Sequence, residues 1–402
     1  MKVLICHFSL YKKNGWGRTF EEAKGLVNLG HQVTLLCSIP GFGLFPRKYL
    51  VEGIKIIVFY DIIPQNLLTT GYGFLSLLSK VIYTSLHSYD ICLSNSHRDS
   101  AYYPCATNRL FHRSKLVIEW WDNFKVKQER SLSVVKNIKN PITRLYHTIR
   151  GKRDLRREIE TKLAADYVVS LSSVTSKRAE AIGVPSNKVR VIRGGCDVSH
   201  IQYSPYPAVE NKLKRGIAED CITFGFIGDG DQELPDIGVF LEALNEINSK
   251  YHIRFLNFGK PITKAQVINP ELESIIQNCG WIDYYGDNSI LSATDVFVLI
   301  KQDNIENQSG WPNKLGDYLA CGRAVLANPY GEIIPFIKEW KPGIISVDYT
   351  KESIKSAIMG ICERSIDIAG LGLRNYSVAY SNTWADKAKE LESVFEELIQ
   401  KQ

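Results

Sequence analysis

The amino-acid sequence predicts an α/β protein of two domains, on the evidence of its length and of two strand–turn–helix openings. The chain has 402 residues, more than one hydrophobic core ordinarily organises. A first apolar strand begins near residue 3 and a comparable strand begins at Cys221, and each is followed by a glycine-containing turn and a helix. Strands that alternate with helices in this way form parallel sheets covered by helices.

The first domain opens with a strand at residues 3–7, a glycine-rich turn at 14–19, a helix at 20–29 and a second strand at 31–37. Glycines between a strand and a helix let backbone N–H groups approach an anion, which makes Gly15 and Gly17 candidate ligand contacts. A tight turn without a ligand is the alternative explanation for the same residues.

Two later strands of this domain end in polar and aromatic side chains. The strand at 89–95 is followed by His97, and the strand at 114–122 ends in Trp120, Trp121 and Asp122. Ligands of open α/β sheets bind beyond the carboxyl ends of the strands, so His97 is the best histidine candidate for a site. A surface helix cap is the alternative for His97. The tryptophans are expected either to stack on a sugar ring or to pack in the core.

The most informative stretch runs from Trp311 to Asn328. Pro312 suits the first turn of a helix and Gly322 suits its end. Between them Leu315, Tyr318 and Leu319 share one apolar face. Residues 324–327 then form a buried strand that turn residues close.

Lys314 and Asp317 are neighbours on this predicted helix because they are three residues apart. A helix N-terminus with a lysine in its first turn attracts phosphate, and a carboxylate one turn later accepts hydrogen bonds from a diol. The pair therefore suits a nucleoside diphosphate with its ribose. A capped surface helix with an ion pair is the alternative.

Positive charge is concentrated in one segment of the first domain. The net charge is +6, but residues 125–157 alone contain eleven lysines and arginines against two acids. Ile142, Leu145 and Tyr146 lie at helical spacing among these charges, a pattern typical of contact with an anionic membrane surface. A solvated helix face is the alternative. No nucleic-acid motif accompanies the basic segment, so we expect no nucleic-acid partner.

The remaining composition favours an intracellular protein without a metal centre. The nine cysteines are odd in number and include no Cys-x-x-Cys pair, and no metal-ligand spacing is present. Free thiols buried in strands indicate a reducing compartment. The chain opens on a strand and not on a secretory signal, and its longest apolar run, residues 72–86, contains Lys80 and is too short to span a bilayer. We expect a cytoplasmic location, with peripheral contact at the inner face of the plasma membrane.

Residues 312–325 also resemble a family motif. They match Pro-x-Lys-Leu-x-(Glu/Asp)-Tyr-Leu-Ala-x-Gly-(Lys/Arg)-x-Val, the donor-site motif of retaining, nucleotide-sugar-dependent glycosyltransferases of the GT-B fold, of the group 1 or family 4 type. That group includes bacterial polysaccharide and mannosyl transferases. Gly-His-x-Val-Thr at residues 30–34 and the segment 191–197 resemble further motifs of the same family.

The resemblance implies two Rossmann-like domains that face a cleft. The first would span residues 1–200 and bind the acceptor, and the second would span 201–380 and bind the donor. Residues 381–402 would form a C-terminal helix that crosses back to the first domain.

The resemblance also implies roles for particular residues. Asp317 would hold the ribose and Lys314 the diphosphate, while His97 and Asp122 would line the acceptor side. The expected donor-binding set is Gly15, Gly17, Arg193, Gly228, Ile282, Lys314, Leu315 and Asp317.

The chain departs from the family pattern at two places. Where the family has an Arg and a Lys after Gly228, this chain has Asp229, Asp231 and Glu233. The family's second acid is replaced by Ser309, and Glu306 is the nearest acid. Lys314, together with Lys301 or Arg193, would then have to neutralise the diphosphate, unless a metal ion joins the acids to the phosphates.

The function implied by the resemblance is transfer of a sugar from a nucleoside diphosphate sugar to a glycan or a lipid-linked acceptor, in cell-surface polysaccharide biosynthesis. The donor is a substrate, and no resident cofactor or metal is expected. The departures after Gly228 motivate an alternative, a catalytically impaired GT-B protein that binds a partner or a membrane. A sugar-nucleotide epimerase on the same fold is a third possibility, but its carboxylate and histidine constellation is not found.

Overall fold

The computed structural model describes residues 1–13, 15–62, 73–264 and 269–400, apart from the side chains at 127, 130, 131 and 134. Asn14 of the glycine-rich turn, Tyr72 and the side chains of two basic-segment residues, Lys127 and Arg130, therefore lie outside the described part. The chain divides into two compact units. The first comprises Met1–Gly194, Ser309–Trp311 and Trp384–Gln402, and the second comprises Gly195–Gln308 and Pro312–Thr383.

The first unit contains an eight-stranded sheet in the order β3-β4-β2-β1-β5-β6-β7-β8. All its neighbouring strands pair in parallel except β3, which is antiparallel to β4. The strands are β1 (Lys2–Leu10), β2 (Gln32–Pro40), β3 (Arg47–Val51), β4 (Ile54–Asp61), β5 (Ile91–Ser94), β6 (Lys115–Trp120), β7 (Tyr167–Ser170) and β8 (Val189–Val191).

Helices cover both faces of this sheet, because its strands are apolar on both sides. Val3 and Ile5 of β1 pack into one core and Leu4 and Cys6 pack into the other. The helices are α1 (Trp16–Asn28), α2 (Phe74–Leu86), α3 (Asp99–His112), α4 (Phe124–Val135), α5 (Pro141–Ala164) and α6 (Ser173–Ala181). The predicted βαβ opening is confirmed as β1, α1 and β2.

The second unit contains a six-stranded parallel sheet in the order β11-β10-β9-β12-β13-β14. Its strands are β9 (Ile222–Asp229), β10 (Ile253–Lys260), β11 (Ile276–Gly280), β12 (Val296–Leu299), β13 (Ala324–Ala327) and β14 (Ile344–Ser346). Its helices are α7 (Val209–Leu213), α8 (Leu234–Ile247), α9 (Ile305–Gln308), α10 (Lys314–Ala320), α11 (Ile333–Trp340), α12 (Lys351–Cys362) and α13 (Ile368–Tyr380).

The C-terminal helix α14 (Trp384–Gln400) is part of the first unit. Its residues Leu391, Val394, Phe395 and Leu398 join the same core as Leu26 of α1. The chain therefore returns to the first unit after the second sheet is complete.

Two predictions from composition can be compared with this fold. The nine cysteines are free thiols, and Cys6, Cys37, Cys92 and Cys221 are buried as expected. No helix in the described ranges is long and apolar enough to cross a bilayer.

Candidate functional site

The helix α10 lies after β12 in the second unit and presents the residues that the sequence singled out. Leu315, Tyr318 and Leu319 are fully buried, as their spacing predicted. The ring of Tyr318 stacks on Phe297 with the centroids 4.2 Å apart. Gly322 adopts φ +64° just beyond the end of the helix. Lys314 and Asp317 are half-buried.

Two lysines share a carboxylate beside α10. Lys314 Nζ donates to both oxygens of Glu233, at 3.0 and 2.9 Å. Lys301 Nζ donates to Glu233 Oε2 at 3.1 Å and to Asp236 Oδ2 at 3.0 Å. The structure therefore brings Lys301 and Lys314 together, as a site for a diphosphate requires, but it also places Glu233 between them.

The ionisation of this cluster follows from burial and from the opposite charges. Burial lowers the pKa of Lys314 to about 8, although the Glu233 carboxylate opposes that shift. Burial alone would raise the pKa of Glu233, but the charges of Lys314 and Lys301 prevail and lower it to about 2. At neutral pH the cluster therefore holds two ammonium groups and ionised Glu233.

The turn after β9 is shaped to let Glu233 reach Lys314. A Cβ at Gly228 would lie 2.9 Å from Glu233 Oε1 and 2.2 Å from the Phe226 ring. Gly230 adopts φ +54°, which favours glycine. The backbone N–H of Asp229 also donates to Glu233 Oε1 at 3.2 Å. The absence of a side chain at Gly228 thus leaves space for the Glu233 carboxylate, which bonds to both lysines.

The other two acids of this turn do not face the lysine pair. Asp229 pairs with Lys260 at 2.5 Å. Asp231 accepts from the backbone N–H groups of Thr263 and Lys264, at 2.7 and 2.8 Å. Of these three acids, only Glu233 therefore lies at the lysine pair, where Asp236 of α8 joins it.

Asp317 is held by a tyrosine that the sequence did not single out. Tyr284 donates its hydroxyl hydrogen to Asp317 Oδ2 at 2.9 Å. Burial raises the pKa of Asp317 to about 7, against the lowering effect of this hydrogen bond. No residue in the described part of the chain donates to Asp317 Oδ1. With a pKa of about 7, Asp317 occurs in both protonation states at neutral pH. Its Oδ1 can accept a hydrogen bond from a diol when the carboxyl is ionised and donate one when it is protonated. The only sequence signal for Tyr284 was its place in the segment after β11.

The structure shows where three further predicted donor residues lie, and one of them, Leu315, differs from the prediction. Leu315 is fully buried and its N–H donates to Pro312 O at 2.8 Å, so its side chain is a core residue and not a ligand contact. Ile282 lies half-buried in the loop between β11 and Tyr284. Arg193 belongs to the first unit, where its guanidinium lies 6.0 Å from the Trp311 ring centroid.

In the first unit, a glycine turn and a tryptophan meet at the carboxyl edge of the sheet. Gly15 precedes α1 with φ +77°, and a Cβ there would lie 2.3 Å from the ring of Trp121. Trp121 is half-buried, and no described residue bonds to its Nε1. Gly17 lies inside the first turn of α1 and not in the loop. Gly15 therefore has a specific packing role, which Gly17 lacks.

The two predicted acceptor-side residues differ in exposure. Asp122 is half-buried after β6, with one carboxylate oxygen close to Gly310. His97 is fully buried, and its Nε2 lies 3.2 Å from Asp154 Oδ1. Burial lowers the pKa of His97, against the effect of Asp154. This burial argues against the predicted contact of His97 with an acceptor, because α4 and α5 cover the ring.

Trp120 is a core residue and not a sugar platform. It is fully buried, and its Nε1 donates to Glu158 Oε1 at 3.0 Å. Lys162 and Arg178 lie about its ring, 5.1 and 4.9 Å from the centroid. Of the two adjacent tryptophans, Trp121 alone remains a candidate for stacking on a sugar.

Two family models together match most of the chain. The model of Glycosyltransferase Family 4 matches residues 18–200, and the model of glycosyl transferases group 1 matches residues 221–364. An uncharacterized glycosyltransferase of Methanocaldococcus jannaschii is 20% identical over 265 residues, which are 65% of this chain and 64% of that protein.

Solved structures resemble the whole chain in fold. Anabaena HepE in complex with UDP-glucose has a TM-score of 0.67 and 14% identity, and the match covers 100% of both chains. Sucrose-phosphate synthase from Thermosynechococcus elongatus has a TM-score of 0.70 and 14% identity, with 100% of this chain and 99% of that chain covered. At these identities the likeness is one of fold.

Proposed function

The chain belongs to the glycosyltransferases of the GT-B fold, and from this premise we propose that it is a retaining enzyme that uses a nucleoside diphosphate sugar. The acceptor would be a glycan or a lipid-linked glycan, in cell-surface polysaccharide biosynthesis. The observation that carries the proposal is the grouping of Lys301 with Lys314 and Asp317 of α10 in the second unit.

The donor would be bound by charge at one end of this group and by hydrogen bonds at the other. Lys301 and Lys314 would hold the diphosphate, and Asp317 Oδ1 would bond the ribose while Tyr284 fixes the carboxyl from the other side. The structures of Anabaena HepE with UDP and UDP-glucose support UDP as the first nucleotide to test.

Catalysis would consist of positioning and of stabilising the leaving diphosphate. The ammonium groups of Lys314 and Lys301 would neutralise the charge that develops on the phosphate oxygens as the sugar departs. We assign no covalent nucleophile, no resident cofactor and no metal. On the acceptor side, Trp121 and Asp122 would contact the acceptor. His97 would be a positioning residue that supports this region through its contacts with Asp154 and Phe124.

The basic segment would bring the enzyme to the cytoplasmic face of a membrane. Ile142 and Leu145 of α5 are exposed among its arginines. An amphipathic helix of this kind binds anionic lipid surfaces, with about 1 kcal/mol for each basic residue near the surface. This position suits a lipid-linked acceptor.

One observation favours a second function. Glu233 and Asp236 together neutralise the lysine pair that a donor would need, which is expected of a catalytically impaired GT-B protein that binds a partner or a membrane. The two functions differ in whether a nucleotide binds at all.

Calorimetric titration with UDP, GDP and ADP, with and without magnesium, tests the proposal. We expect one nucleotide to bind with micromolar affinity and to lose about 1–3 kcal/mol with Lys314→Ala or Asp317→Ala, because each change removes a hydrogen bond to the ligand. Asp220→Ala is the matched control, since Asp220 is an exposed acid near the start of β9. The absence of binding by all three nucleotides would favour the impaired protein.

A further inference from the structure

Exposed apolar side chains are concentrated on one loop of the first unit. The loop 41–46 follows β2 and carries Phe42, Leu44 and Phe45, which are 74%, 84% and 82% exposed. Three such side chains within four positions are unusual for a surface loop, because large apolar groups exposed together mark interaction sites.

The first turns of α2 extend this apolar surface. Phe74, Leu75 and Leu78 of α2 are exposed, and Ile62 is exposed directly after β4. We call these side chains the apolar tip, which comprises Phe42, Leu44, Phe45, Ile62, Phe74, Leu75 and Leu78.

Hydrogen bonds to Asp61 hold the two parts of the apolar tip together. The N–H of Gly41 donates to Asp61 O at 2.9 Å, and the N–H of Ser76 donates to Asp61 Oδ2 at 2.8 Å. Ser76 Oγ also lies 3.0 Å from Ser38 Oγ at the end of β2. The loop and the start of α2 are therefore fixed side by side at the carboxyl edge of the sheet.

Cations and tyrosines lie in the segments that adjoin the apolar tip. Lys12, Lys13, Arg47 and Lys48 are exposed, and the only acid in the adjoining described segments (8–13, 39–50, 60–62 and 73–79) is the buried Asp61. The tyrosines are Tyr11, which stacks on Tyr49 with the centroids 5.5 Å apart, and Tyr60, whose ring lies 5.3 Å from the Arg47 guanidinium.

We propose that the apolar tip inserts into the interface of an anionic lipid bilayer. Apolar side chains enter the acyl boundary, tyrosines lie at the headgroup level, and lysines and arginines bind anionic headgroups, and all three kinds of side chain occur in and beside the apolar tip. The four exposed cations beside the tip, with no exposed acid in the same described segments, are complementary to anionic headgroups. This positive charge therefore favours an anionic lipid surface as the occupant.

The position of the tip connects it with the acceptor side. The tip lies at the edge of the sheet where Trp121 follows β6, and α5 reaches the same edge, because Asp154 in its middle contacts His97. Insertion of the tip and electrostatic contact of the basic segment would then hold this edge against one bilayer. The link to a lipid-linked acceptor rests on the proposed function, whereas insertion itself does not.

Vesicle binding by the full-length protein tests insertion. We expect binding to vesicles of phosphatidylcholine with 30 mole per cent phosphatidylglycerol, and at least a tenfold weaker partition coefficient for Phe42→Ser/Phe45→Ser. Leu110→Ser/Phe111→Ser is the matched control, because these two residues are equally apolar and exposed but lie at the end of α3. The control should change the partition coefficient less than twofold.

Brominated lipids separate insertion from binding through the basic segment. Phe42→Trp should gain fluorescence that brominated acyl chains quench, relative to the wild type with its seven tryptophans. Equal binding by the serine variant and the wild type, without quenching of the new tryptophan, would overturn the proposal. So would a dimer in sedimentation analysis that the serine variant abolishes, since a second copy would then cover the tip.

Nucleotide titration of the same variants separates the two proposals. Vesicle insertion without binding of UDP, GDP or ADP would uphold the apolar tip and remove the donor site. Nucleotide binding without insertion would do the reverse.

Discussion

At the scale of single residues, Glu233 determines how much positive charge the second unit offers to a donor. Its carboxylate bonds to Lys314 and Lys301, and Asp236 bonds to Lys301 as well. Two ammonium groups and two carboxylates sum to no net charge. A diphosphate therefore gains attraction only if it replaces the Glu233 carboxylate on both lysines.

The variant Glu233→Gln should consequently bind UDP or pyrophosphate more tightly than the wild type. We expect about a tenfold gain, equivalent to about 1.4 kcal/mol, because the ligand no longer competes with a charged group for the lysines. Calorimetry at pH 6.5 or below is appropriate, because burial lowers the pKa of Lys314 and loss of the Glu233 carboxylate, which raises that pKa in the wild type, lowers it further.

The control for this change is Asp231→Asn. It removes one negative charge from the same turn, but Asp231 faces the backbone of Thr263 and Lys264 and not the lysines. Weaker binding by Glu233→Gln would mean that the Glu233 carboxylate helps to bind the ligand, for example through magnesium. The hypothesis that a diphosphate replaces this carboxylate on the two lysines would then be wrong.

At the scale of elements, the contact between α1 and α14 depends on a glycine inside a helix. Gly25 lies in α1, where alanine would be the better helix former. A Cβ at this position would lie 2.4 Å from Ala388 Cβ of α14. The two helices therefore approach each other as closely as they do because Gly25 has no side chain.

Gly25→Ala should lower the free energy of unfolding of the first unit by up to about 2 kcal/mol. The gain in helix propensity is about 1 kcal/mol, whereas overpacking costs about 1–3 kcal/mol. Gly17→Ala in the first turn of α1 is the matched control, because a Cβ there meets nothing within 4 Å. Urea unfolding followed by circular dichroism measures both variants. An equal rise in the urea midpoint for both variants would contradict the prediction, because it would show that α14 accommodates the added methyl group without loss of stability.

At the scale of the whole molecule, each unit has its own hydrophobic core. Phe224, Phe240 and Leu244 belong to the core of the second unit, and Val3, Leu26 and Phe395 belong to one core of the first. Separate cores favour separate unfolding transitions, so ligands can stabilise one unit more than the other.

UDP should therefore raise the midpoint temperature of one of the two unfolding transitions in differential scanning calorimetry. A ligand at one hundred times its Kd stabilises its site by about 2.7 kcal/mol. The variants Phe240→Ala and Phe395→Ala identify the transitions of the second and the first unit, because each lowers the midpoint of its own unit. We expect UDP to shift the transition of the second unit, because Lys314 and Asp317 belong to it. A shift confined to the transition of the first unit would place the nucleotide elsewhere.

Local patterns in the sequence were sufficient for the elements and for part of the candidate site. Pro312, Gly322 and the apolar spacing between them predicted α10, since helix ends and amphipathic faces depend on residues a few positions apart. The same stretch identified Lys314 and Asp317. The motif resemblance extended this to the fold, which the comparisons confirmed.

Long-range contacts decided the rest. Trp120 and Trp121 are adjacent, and only the packing of α5 and α6 on the sheet buries one ring and leaves the other half-buried. His97 followed a strand end as predicted, yet Asp154, 57 positions later, covers it. Glu233 meets Lys314 across 81 positions and Tyr284 meets Asp317 across 33. The sequence by itself determined which groups are available, whereas the tertiary structure decided which are buried and paired, because burial and pairing arise from contacts between distant segments.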